Sequence, residues 1–175
     1  MEHYTIELAP ILDVIGSEMH VSDSLELEPL CIGDERFTFT RPVTLDVTLT
    51  NTSAGVVASG QVHATVSTEC SRCLEQFEMP LDGEVESFYV GRAHADEMPE
   101  EQQVEPIREG RIDLAPAIMT ALVVEAPFAP VHAEDCKGIC PACGANRNVE
   151  ECGCAEEAKP SLFAVLKEIF PEQKD

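Results

Sequence analysis

Seven of the eight cysteines in this 175-residue chain fall in three short clusters, and their spacing constrains the fold more than any other feature. Cys70-Ser71-Arg72-Cys73 is the first. The densest is Cys136-Lys137-Gly138-Ile139-Cys140-Pro141-Ala142-Cys143-Gly144, and Cys152-Gly153-Cys154 follows it. Thiolates spaced like this can converge on one point. The Cys-Pro-Ala-Cys-Gly stretch has the form of a zinc knuckle, in which a tight turn presents two sulfurs and Gly144 relieves the backbone as it leaves. Met1 to Pro10 has neither a basic n-region nor an apolar run, and no later segment is long enough to span a bilayer. The expected location is therefore the cytoplasm, where clustered cysteines are metal ligands more often than disulfides.

A structural zinc site takes four deprotonated ligands. With the isolated Cys31 set aside, seven cysteines are one short of two full sites; His132, four residues before Cys136, is the candidate for the eighth ligand, its other reading being a surface or packing residue. The spacing leaves three partitions open. One groups Cys70, Cys73, His132 and Cys136 around one zinc and Cys140, Cys143, Cys152 and Cys154 around another. A second pairs the two Cys-x-x-Cys turns, Cys70/Cys73 with Cys140/Cys143, as in a zinc ribbon. A third is one local site from Cys136, Cys140, Cys143 and either Cys152 or Cys154. One zinc is expected on any partition, and two if His132 joins. Cys31, in Pro29-Leu30-Cys31-Ile32, reads as a small buried hydrophobe, and His3, His20, His63 and His94 have no partners in sequence.

The first ninety residues carry strand patterning. Val43, Leu45, Val47 and Leu49 alternate with polar residues, Asn51 to Gly55 is turn material, and Val62, Ala64 and Val66 resume the alternation before Cys70. Phe77 to Leu81 and Val85 to Val90 suggest a returning strand interrupted near Asp82-Gly83, which places Cys70 and Cys73 at a strand-turn-strand tip. The polar stretch from Gly91 to Glu105 reads as an exposed loop, and Ile107 to Ile112 as a turn entering a helix. Asp113 is the expected N-cap and Pro116 lies in the first turn. Leu114, Ala117, Ile118, Ala121, Leu122 and Glu125 follow helical spacing with an apolar stripe. Ser161 to Phe170 has the pattern of a short amphipathic helix. The expected fold is α+β: an antiparallel β-rich body, either a curved sheet or a small barrel, with one or two helices and a C-terminal zinc-binding segment. The body covers residues 1–130 with its helix at about 113–126. The cysteine-rich segment covers 131–175 and packs with the body as one unit.

Eleven Lys and Arg against 33 Asp and Glu give a formal charge of −22. No cation precedes Arg36, and Asp96 to Glu105 carries carboxylates with no basic residue. Such a field repels naked nucleic acid; it serves solubility on the simpler reading, and on the sharper one it steers a strongly basic partner toward the chain. Arg72, Lys137 and Arg147, inside the cysteine clusters, are the candidates for a local RNA-binding patch; the simpler assignment pairs them with carboxylates such as Glu69, Glu150 and Glu151. Catalytic zinc keeps an open position, usually among His and carboxylate ligands, whereas thiolate-filled sites are closed. No His-Glu-x-x-His, phosphate loop or nucleophile elbow occurs. No enzymatic activity, small-molecule substrate or membrane partner is expected. A Cys70/Cys73 redox pair is the alternative, although such chemistry usually places its first thiol at a helix N-terminus and here a strand leads in.

The order of motifs resembles a known family. Glu69-Cys70-Ser71-Arg72-Cys73-Leu74-Glu75 comes first, then Arg111-Ile112-Asp113-Leu114, then a helix ending in Pro127. Asp135 to Asn146 with its three cysteines follows, and Phe163-Ala164-Val165-Leu166 closes the series. From about residue 55 to 170 this is similar to the YceD family, associated with accumulation of large-subunit ribosomal RNA. Members with the full cysteine set usually carry Cys where this chain has His132, which zinc also accepts. Asn148 follows Arg147, where the family tends to have Leu. The resemblance implies a non-enzymatic role in large-ribosomal-subunit biogenesis, with a basic ribosomal protein or the ribosomal RNA as partner. A thiol-based redox or metal-sensing zinc protein is the alternative.

Overall fold

A computed structural model describes residues 3–91 and 104–154. Its spine is β6 (Val56–Glu69), on which β5 (Val43–Asn51) and β7 (Gln76–Gly91) pair antiparallel from opposite edges. The alternation of β5 puts Val43, Leu45, Val47 and Leu49 inside and Thr44 and Asp46 outside, because successive strand side chains face opposite ways. β2 (Glu18–Leu25) pairs with β5, and β4 (Glu35–Phe39) takes the end of β6 beyond β5 and carries β3 (Leu30–Ile32). β8 (Val104–Ile107) runs parallel to the last residues of β7, which completes a seven-stranded sheet. A separate two-stranded sheet joins β1 (Thr5–Glu7) to β9 (Arg111–Asp113). The large sheet is open, not a closed barrel, and of the two shapes the sequence allowed it takes the sheet.

Two helices occur among the described residues, α1 (Ala9–Leu12) and α2 (Ala115–Glu125). α2 lies over β7 and buries Ile118, Ala121 and Leu122 against the sheet's inner face, among Leu81, Val85 and Tyr89. No described helix is long and apolar enough to cross a membrane. Asp113 is not the N-cap itself: that position is Leu114, and the Asp113 carboxylate accepts the Ala115 N–H at 3.1 Å from one residue earlier. It also accepts the Tyr4 N–H and pairs with His3. Burial alone would raise its pKa, but these donors outweigh burial and hold it below the ordinary value of 3.8.

Four further readings are corrected. The returning strand is unbroken through Asp82 and Gly83, and Gly83 is there for close approach, not for a turn. A Cβ at that position would stand 2.8 Å from the Ala121 carbonyl group. Residues 108–111 turn into the strand β9 before the helix begins, with Glu109 and Gly110 at φ 52° and 72°. Val104 and Glu105, read as the end of a loop, belong to β8; residues 92–103, with most of the acidic run, and the expected helix at 161–170 lie outside the described residues. Cys31 is exposed, because β3 turns Leu30 inward and its neighbour outward.

Buried Asn51 ties α1 to the sheet. Its side-chain amide donates to the carbonyls of Ile11, Leu12 and Val14 at 2.7, 3.1 and 3.1 Å. Asn51→Ala should destabilise the protein by about 1–3 kcal/mol in denaturant titrations, since it strands buried acceptors. Gly83→Ala should cost about 1–3 kcal/mol, because the α2 backbone must move away from the new methyl group. An unchanged midpoint in the second variant would refute the close-approach role.

Candidate metal centres

The β6–β7 hairpin ends in a turn at Cys70–Cys73. Cys70 N–H donates to the Glu75 carbonyl and Leu74 N–H to the Cys70 carbonyl, so both sulfurs point to one side. Leu74 takes φ 64°, an uncommon conformation for a bulky residue and the place where the second turn has glycine. That second turn repeats the pattern: Cys140 N–H donates to the Ala145 carbonyl, and Gly144 N–H to the Cys140 carbonyl, with Gly144 at φ 77°.

The chain from 130 to 139 folds over the first turn. Ser71 N–H donates to the Pro130 carbonyl and Ile139 N–H to the Arg72 carbonyl, at 2.8 and 2.9 Å. Gly138, at φ 70°, passes so close that a Cβ would sit 2.9 Å from the Arg72 carbonyl oxygen. This brings His132 and Cys136 to the hairpin tip. Cys70 and Cys136 place their sulfurs 3.9 Å apart, and His132 Nδ1 lies 3.4 Å from the sulfurs of both Cys70 and Cys73. The three cysteines are buried and His132 is exposed. A second tetrad, Cys140, Cys143, Cys152 and Cys154, is more open. In each tetrad all donor atoms lie within 4.8 Å of one another, and each could hold a metal ion. This grouping is the first of the three partitions left open by the spacing.

With three thiols in the first tetrad and four in the second, thiols so close oppose one another's ionisation, and the pKa values of several spread accordingly. Burial opposes ionisation of Cys70, but backbone N–H groups of His132, Cys73 and Arg72 and the His132 ring outweigh it and bring the thiol down to about 5. Burial, then the neighbouring sulfurs, push Cys73 up to about 11. In the second tetrad, backbone N–H groups of Cys143 and Ala142 lower Cys140 to about 6, while the sulfurs of Cys143 and Cys140 raise Cys154 to about 12. Cys152 is raised as well, chiefly by Cys140. Each tetrad thus sets a thiol lowered toward ionisation, Cys70 or Cys140, beside thiols held up, Cys73 in the first and Cys152 and Cys154 in the second.

The backbones of Arg72 and Arg147, two of the three basic residues named from the sequence, join the chain at Gly138 and Ile139, next to the third, Lys137. Arg147 N–H donates to the Gly138 carbonyl, and the Arg72 carbonyl takes the Ile139 N–H. Instead of pairing with a carboxylate, the Arg72 guanidinium donates to the carbonyls of Glu134 and Cys136 at 2.9 and 3.2 Å, bracing the loop that carries a candidate ligand. Sequence reasoning gave no role to Asn146 or Asn148, yet Asn148 Nδ2 lies 3.4 Å from the Cys136 sulfur. Only the side chain's direction reveals this contact.

Comparison with known proteins matches the sequence to a family. Residues 58–170 match the family described as large ribosomal RNA subunit accumulation protein YceD. An uncharacterized protein of Mycobacterium tuberculosis is 31% identical over 175 residues, covering 96% of this chain and 82% of the relative. A Mycobacterium bovis protein aligns with the same identity and coverage. An uncharacterized protein of Mycobacterium leprae is 33% identical over 110 residues, 62% of this chain and 51% of its own length. No solved structure matches. The family match spans both tetrads and more than half of the sequence, and the chain belongs to the YceD family.

Proposed function

We propose that this protein is a non-enzymatic factor in biogenesis of the large ribosomal subunit. In this reading two zinc ions staple its hairpin tip to the 131–154 segment, and the assembled surface receives a basic ribosomal protein. Body (1–130) and cysteine-rich segment (131–175) then act as one unit in the cytoplasm. The observation that carries the reading is the size of the first tetrad. A tetrahedral zinc with Zn–S of about 2.3 Å and Zn–N of about 2.0 Å separates sulfurs by about 3.8 Å and sulfur from nitrogen by about 3.5 Å. The separations of 3.9 and 3.4 Å match those edges. Thiolate-rich donor sets favour zinc over magnesium or calcium, and a closed four-ligand shell suits a structural ion.

Charge favours a basic partner over naked RNA. The outward face of the large sheet presents Glu18, Asp46, Glu78, Asp82, Glu84 and Glu86, all exposed, and none of the outward positions of β2, β5, β6 and β7 holds a Lys or Arg. With a formal charge of −22 behind it, such a face repels phosphate and attracts lysine-rich protein. The engagement of Arg72 with backbone carbonyls also leaves less cationic surface for RNA at Arg72, Lys137 and Arg147.

Elemental analysis of purified protein should give two zinc ions per chain, and His132→Ala should lower this toward one. Retention of two would remove His132 from the ligand set, and absence of metal from the wild type would overturn the zinc reading. Reversible zinc loss with a Cys70–Cys73 disulfide under mild oxidant would favour the redox alternative. Affinity capture at low salt should recover a basic large-subunit ribosomal protein, in a complex that weakens as salt rises and survives the combined Arg72→Ala, Lys137→Ala and Arg147→Ala changes. Ribosomal RNA binding abolished by that triple change would support direct RNA contact instead.

A further inference from the structure

Both tetrads draw on one short stretch of chain. Cys136 belongs to the first and Cys140 opens the second, with three residues between them. The loop that closes the second tetrad, from Cys143 to Cys152, carries Asn148 near its middle and turns back onto the first. Arg147 N–H donates to the Gly138 carbonyl, Ile139 bridges to Asn146, and Val149 and Glu150 N–H groups donate to the Asn146 carbonyl. The side-chain amide of Asn148 lies where these paths meet. Its Oδ1 accepts the Lys137 N–H at 2.8 Å, and its Nδ2 donates to Asn146 Oδ1 at 2.9 Å and faces the Cys136 sulfur at 3.4 Å. Asn148 N–H also reaches Asn146 Oδ1 at 2.9 Å.

The amide has only one workable orientation. Lys137 N–H needs an acceptor, so Oδ1 must face it, which directs the NH2 group toward sulfur. A donor on a ligating thiolate takes up part of its charge and fixes its direction, and groups in this position commonly change metal affinity 10–100-fold. Because Asn148 lies between Cys143 and Cys152, its placement depends on closure of the second tetrad, while its effect falls on the first.

We propose that Asn148 couples the two tetrads: metal held by Cys140, Cys143, Cys152 and Cys154 seats the Asn148 amide on the Cys136 sulfur and so tightens metal binding by Cys70, Cys73, His132 and Cys136. This rests on the metal reading above. Coupling between sites is reciprocal, so metal in the first tetrad also tightens the second.

The test is competition between the full-length zinc-loaded protein and the chromophoric chelator 4-(2-pyridylazo)resorcinol, with Co²⁺ spectra taken in parallel. Asn148→Leu should weaken zinc at the first tetrad roughly 10-fold and move its sulfur-to-Co²⁺ charge-transfer band to lower energy, since the sulfur regains charge. The nearly isosteric Asn148→Asp keeps the acceptor for Lys137 but turns a carboxylate toward the sulfur, and should weaken zinc further than Leu does. Cys143→Ser should weaken the first tetrad by a similar factor, and adding Asn148→Leu to it should change little more, because both act through one contact. An Asp variant that binds as tightly as wild type, an unmoved Co²⁺ band, or additive losses in the double variant would overturn the coupling. A wild-type protein that takes up neither ion would overturn the metal reading itself, whereas two ions bound with unchanged variants would overturn the coupling alone.

Discussion

The register between β6 and β7 is the constraint from which the rest of the molecule follows. It runs unbroken from Val56 opposite Tyr89 to Glu69 opposite Gln76. A slip of one residue would send every buried side chain of the hairpin to the wrong face. Near one end of that ladder α2 rests on Leu81, Val85 and Tyr89, and at the other the turn presents Cys70 and Cys73. Core packing therefore sets the position of the first two thiols, and the chain beyond α2 needs only to bend back over them.

That bend is held mainly by the backbone. Carbonyls of Arg72, Pro130 and Gly138 accept N–H groups across it, and the Arg72 guanidinium occupies the carbonyls of Glu134 and Cys136. Left-handed geometry at Leu74, Gly138 and Gly144 lets the turns close tightly enough for this. Only after the backbone is satisfied in this way do the thiols lie close enough to oppose one another's ionisation.

Much of this was legible in the sequence, for identifiable reasons. The alternation in β5 and β6 is a strong local signal because one face of each strand is buried. Cysteine spacing named the candidate ligands, but spacing says nothing about which of them meet in space, and three groupings stayed open until the fold brought Cys136 to Cys70. Asp82-Gly83 looked like a break because glycine after aspartate is a turn signal, whereas the need it meets is a helix packed on the strand, a requirement carried by Ala121 some forty positions later. β9 is three residues long, too short for periodicity to register. Cys31 was misplaced because average burial of cysteine says nothing about the phase of its strand.

The two tetrads differ in how much chain each encloses, and this bears on how the protein comes together. Cys70 and Cys136 are 66 positions apart, whereas the second set spans only Cys140 to Cys154. By loop-closure entropy, a cross-link of the first kind restricts the unfolded chain by about 4 kcal/mol and one of the second kind by about 3 kcal/mol. The short set can gather on an otherwise unfolded polypeptide. The long one has no binding geometry until the hairpin has formed and the chain has returned across it. An ion in the first tetrad would then act as a late lock, closing only over a body that has already found its register.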